Sequence, residues 1–109
     1  MITSVRQKPQ YQALDRVKDR VTHLVASWLL DSTTLAGNQG MIIAEPLVNQ
    51  AIKDRKAMIH PSSPSVILND SEWVEGLVMD AKKIAQLWDE EGILESILDE
   101  AQTQEDNLL

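Results

Sequence analysis

Two histidines are the natural places to look for acid–base chemistry. His23 follows Asp19 by one helical turn, a spacing at which a carboxylate can orient an imidazole as a general base. No serine and no second carboxylate is tied to it by any motif, and the chain has no cysteine to serve as a nucleophile. A surface histidine with a helical neighbour is the favoured explanation of the pattern. His60 stands in His-Pro-Ser-Ser-Pro, where a turn is the default. Two distant histidines without cysteine do not make a zinc ligand set. Asp89-Glu90-Glu91 is a carboxylate run without the spacing of a calcium loop. Gly37-Asn38-Gln39-Gly40 lacks the Gly-Lys-Ser/Thr ending of a phosphate loop, and it reads as a turn. The expectation is a non-enzyme with no catalytic residue, no metal site and no cofactor.

Charge carries more information. The 109 residues have a net charge of −7, divided unequally. Residues 1–69 hold eight Lys/Arg against five Asp/Glu, and residues 70–109 hold two Lys against twelve Asp/Glu. A solvated acidic face is the bland explanation; an acidic end that meets a basic surface is the sharper one. Direct nucleic-acid binding is disfavoured, because no basic stripe with interleaved aromatics exists. Arg16, Lys18 and Arg20, with Lys53, Arg55 and Lys56, form two basic clusters that would merge if their helices lay side by side. The opening MITSVRQKPQ has no apolar h-region, and no apolar run approaches the ~18–20 residues that cross a bilayer. A cytoplasmic protein without a membrane partner is expected.

The elements that carry these residues are helical. One domain fits this length. Three Trp, one Tyr and no Phe leave a core of Leu, Ile, Val, Ala and Met, a vocabulary of helix bundles. After a flexible leader (1–9), a helix is expected over 10–30. Its heptad seam is Leu14, Val17, Val21, Leu24 and Trp28, widened by Tyr11, Val25 and Leu29. A second helix is expected over 45–59 with Pro46 in its first turn; Met41–Ala44 reads as either extended or helical. Residues 60–69 form a Pro/Ser linker. Asn69 followed by Glu72 has capping-box spacing, with Leu68 and Trp73 placed as a hydrophobic staple. A third helix over 70–91 repeats the seam at Val74, Leu77, Ala81, Ile84 and Trp88, so Trp28 and Trp88 are expected core members. Gly92 suits a left-handed helix stop. A short fourth helix over 93–102 precedes a disordered acidic tail, 103–109. The fold class is all-α: a small irregular bundle of three main helices plus a short C-terminal one.

Function must then come from surfaces. The leading expectation is a protein–protein interaction module, an adaptor, assembly subunit or regulator. It would work through helical surfaces and the acidic C-terminal half, on a foreign protein or a second copy in a homo-oligomer. The candidate docking residues are Ile93, Leu94, Ile97 and Leu98, with Glu95, Asp99 and Glu100 beside them. Arg16, Lys18 and Arg20 are the candidate basic counterpart on a second copy. A second expectation is a small acidic inhibitor mimicking nucleic acid on a basic partner, of the kind a phage could encode. An enzyme using isolated carboxylates and His23 ranks third.

Overall fold

A computed structural model describes residues 9–59 and 68–108. Four helices follow one another: α1 (Pro9–Ser32), α2 (Gln39–Met58), α3 (Asp70–Glu90) and α4 (Ile93–Leu108). The fold is an all-α bundle of three long helices and a shorter fourth, with no strand among the described residues. His60 and most of the 60–69 linker lie outside the described residues, as does the leader up to residue 8.

Side-chain contacts give the directions. Lys56 at the end of α2 reaches Asp15 near the start of α1, and Gly40 at the start of α2 lies against Leu30 near the end of α1. These two helices are antiparallel. Arg16 bonds Asp70 and Lys82 lies over the Trp28 ring, so α1 and α3 run in the same direction. The first three helices thus go up, down and up. α4 then turns back against α2 and α3.

Helix α1 buries Leu14, Val17, Val21, Val25 and Leu29, with Ala13 and Ala26 beside them. The heptad seam drifts. Leu24 is 44% exposed and Trp28 is half-buried, so the residues expected only to widen the stripe complete it. α3 drifts the same way, from Trp73, Val74, Leu77 and Ala81 to a buried Ala85, while Ile84 and Trp88 are half-buried. The cause is geometric. A straight helix of 3.6 residues per turn slips about 20° per heptad against a 3.5-residue repeat, and a strict seam persists only where helices supercoil. Trp28 and Trp88 consequently pack at the edge of the core. Trp73, expected as a staple residue, is the one tryptophan with only 4% exposure.

Two boundaries differ from expectation. α2 begins at Gln39, so Met41–Ala44 is helical and Pro46 sits inside the helix. An interior proline costs about 3 kcal/mol. The early start brings Ile43 and Ala44 to complete burial, and a fully buried Ile alone contributes about 1.5–3 kcal/mol. The two effects are comparable, and tertiary packing overrides the local signal. α4 runs through Leu108 rather than stopping at 102, so residues 103–108 are helical where a disordered tail was expected. No Gly or Pro interrupts Ala101 to Leu108, and the Thr103 hydroxyl donates to the Asp99 carbonyl one turn back.

The caps agree with their sequence signals. The Glu72 amide donates to Asn69 Oδ1 at 2.9 Å, and the Asn69 amide donates to Glu72 Oε2 at 3.3 Å, a complete capping box. Gly92 adopts φ +75° and its amide donates to the Asp89 carbonyl, which ends α3 and lets α4 turn back.

Candidate docking surface

The charge division of the sequence is partly resolved inside the molecule. Arg16 makes two hydrogen bonds to the Asp70 carboxylate, 3.1 Å from Nε and 2.5 Å from Nη2. The Arg16 guanidinium beside Asp70 holds that carboxyl below its ordinary range through these bonds, and the arginine's own pKa rises in turn. Arg55 bonds Asp80 at 2.6 Å and also lies over Trp73. Its guanidinium rests on Gly76, where a Cβ would meet Nη2 at 2.7 Å. Lys56 bonds Asp15 at 2.9 Å. α1 and α2 do lie side by side, but Arg16, Arg55 and Lys56 of the two basic clusters are matched by carboxylates. Of the candidate basic counterpart, Lys18 is half-buried and Arg20 is exposed; Arg16 is engaged within its own chain.

His23 is exposed, and its Nδ1–H donates to the Asp19 backbone carbonyl at 2.8 Å. The carboxylate does not orient the ring, so the arrangement is that of a surface histidine. Among the described residues no group of His, Asp or Glu is placed to hold a metal ion, and no helix is long and apolar enough to cross a membrane.

The C-terminal half differs in kind. From Ile84 to Leu109 the chain has eight Asp/Glu and no Lys or Arg. On α4, Glu95, Asp99 and Glu100 are exposed, while Ile93, Leu94, Ile97 and Leu98 are all half-buried. Leu94, Ile97 and Leu98 pack against the bundle core, so the candidate docking face is turned partly onto its own protein. It does not close completely. A groove of about 620 Å³ runs between the end of α1, the following loop, α3 and α4. Trp28, Leu35, Leu94 and Leu98 form its apolar walls, and Asp89 and Glu95 belong to its lining.

Two of the expected docking residues, Leu94 and Leu98, and the acidic Glu95 therefore line a concave site. Sequence reasoning missed its opposite wall. The 31–40 stretch reads as a break between helices, and nothing in Thr33, Thr34 or Leu35 signals a surface. The one available clue is the position of Trp28, a large apolar residue at the very end of the α1 stripe. The chain matches no family model, no curated protein and no solved structure.

Proposed function

We propose that this chain is a non-enzymatic protein-interaction module, an adaptor, assembly subunit or regulator, that engages a protein partner through its acidic α3–α4 end. One observation carries the reading. Incompletely covered apolar side chains (Leu94, Leu98, Trp28) and two carboxylates that form no ion pair among the described residues (Asp89, Glu95) line the same groove. Concave sites with an apolar lining and a few placed polar groups are where binding energy concentrates. Burying one such side chain on a partner contributes about 1.5–3 kcal/mol before the cost of ordering.

The test is capture of a partner by the full chain from the cells that make it, with cross-links mapped by mass spectrometry. Cross-links concentrated on α4, the end of α3 and residues 31–38 are the expected result. Cross-links confined to the exposed face of α1 and α2 would overturn the reading. Raising salt during capture separates an apolar dock, which persists, from a nucleic-acid mimic, whose complex weakens steeply.

A further inference from the structure

We propose that the groove bounded by Trp28, Leu35, Leu94 and Leu98 is a receptor for a short amphipathic segment of a partner protein. The apolar side chains of that segment enter the groove, and its flanking Lys or Arg residues meet Asp89 and Glu95. This deepens the reading given above and rests on it. The volume of about 620 Å³ lies within the roughly 300–1,000 Å³ typical of sites that enclose a ligand. It accommodates a few large side chains rather than a whole folded surface.

Charge selects the occupant. Among the described residues no Lys or Arg lines the groove, and neither Asp89 nor Glu95 takes part in an ion pair. Helix dipoles do not offset the carboxylates. The C-terminal ends of α1 and α3 and the N-terminal ends of α2 and α4 meet at this end of the bundle, so their partial charges largely cancel. Lys82 lies over the Trp28 ring at 5.4 Å and keeps its positive charge there, so Asp89 and Glu95 set the sign by two charges against one. A segment carrying Lys or Arg is attracted, and one carrying Asp or Glu is repelled.

A second copy of this chain fits less well. Arg16, Arg55 and Lys56 of a second copy are bonded to Asp70, Asp80 and Asp15 of their own chain. Its exposed bases, Arg20, Lys53 and Lys83, stand on α1, α2 and α3, which are already packed into the bundle. A short segment can lay its apolar side chains along the groove, whereas a helix fixed in a bundle presents only its outer face.

The test uses a random 12-residue peptide library selected against the full-length chain, followed by affinity measurements on the enriched peptides. Two double variants with the same change of net charge are compared: Asp89→Lys with Glu95→Lys at the groove, and Glu45→Lys with Glu75→Lys at exposed sites elsewhere. Circular dichroism confirms that both remain folded. Enriched peptides should carry two or more large apolar residues flanked by Lys or Arg. The groove reversal should weaken them at least roughly tenfold and the remote reversal less than about threefold. Leu98→Ala should weaken them by a further measurable factor without changing their basic preference.

Equal losses in the two double variants would overturn the proposal, because the attraction would then belong to net charge alone. Enriched peptides without basic residues, or a selection no richer than background, would also overturn it. Self-association of the wild type that the groove variants abolish would assign the groove to a second copy instead. Each failure leaves the broader function separately readable. A partner still cross-linked to the acidic end but indifferent to the groove substitutions would sink this inference and not that one.

Discussion

The α1–α2–α3 trio and α4 bury apolar residues in different ways. Among the described residues every buried hydrophobic, from Ala13 to Ala85, belongs to the trio, and many of them have no exposure at all. On α4 the apolar residues Ile93, Leu94, Ile97, Leu98 and Ala101 stop at half-burial. The difference follows from how extensively each helix is packed. α1 and α4 each meet α2 and α3, but α1 packs on them over far more of its surface than α4 does. A helix that touches its neighbours over a small area leaves its apolar stripe half-covered. Stability is thus concentrated in the trio, and uncovered apolar surface is concentrated where α4 joins it.

Truncations of equal kind should separate the two regions. Trp73→Ala, in the trio, should cost about 3–5 kcal/mol and Leu47→Ala about 2–5 kcal/mol by chemical denaturation. Leu98→Ala, on α4, should cost about 1 kcal/mol, because a half-buried side chain loses less transfer energy and leaves an open dent rather than a cavity. Similar costs for Leu47→Ala and Leu98→Ala would erase the distinction.

A larger deletion sharpens it. A chain ending at Glu91 should keep the circular dichroism of three helices and a cooperative thermal transition, at a lower midpoint. Loss of all helical signal would make α4 part of the core like the rest.

Smaller effects probe the junctions. Gly92→Ala forces a side chain into φ +75° and should destabilise by about 1 kcal/mol. Asn69→Ala removes the acceptor for the Glu72 amide and should cost about the same. Only the first should also disturb the groove, visible as a change in tryptophan fluorescence that disappears in a Trp28→Phe background, since Gly92 sets how α4 leaves α3.

The smallest effect is expected at Asp70, whose pKa is lowered by its bonds to Arg16. A depressed carboxyl pKa stabilises the folded state fully above the ordinary carboxylate value near 3.9, and that contribution disappears as pH falls through the lowered value. Asp70→Asn should therefore lower the thermal midpoint slightly at neutral pH, and the gap from the wild type should close in acid. The pair is exposed, so salt should shrink the gap as well. A gap that widens below pH 4 would contradict the assigned cause.

Much of the trio was legible in the sequence because its signals are local. The Asn69/Glu72 spacing and Gly92 marked the ends of α3 by chemistry that involves only neighbouring residues. The stripes marked which helices would pack, but the heptad spacing misplaced Leu24, Trp28, Ile84 and Trp88, since their burial depends on whether the helices supercoil. Pro46 misled for the opposite reason. Its local preference for a first turn was outweighed by contacts of Gly40, Ile43 and Ala44 with distant residues. The groove was half legible. Leu94, Glu95 and Leu98 stood out as an amphipathic helix beyond a glycine, while Leu35 and its neighbours on the far wall became a surface only through the pairing of α1 with α3. The charge polarity was visible as a count, but which bases remain available depends on partners such as Asp70 and Asp80 that no spacing rule supplies.

The close approach of Gly40 to α1 has a kinetic consequence. A Cβ there would lie 3.0 Å from Leu30 and 3.1 Å from the Ala26 carbonyl, so these helices touch across a short stretch of chain. The α1–α3 contacts, by contrast, join residues 54 positions apart, as in Arg16 and Asp70. Closing a short loop loses less chain entropy than closing a long one, and local contacts favour early formation. The α1–α2 hairpin should therefore zip from Gly40 and Leu30 outward before α3 docks. Gly40→Ala should then slow refolding in stopped-flow measurements, whereas Gly92→Ala should mainly accelerate unfolding. The reverse assignment would place the folding nucleus at the α3–α4 junction.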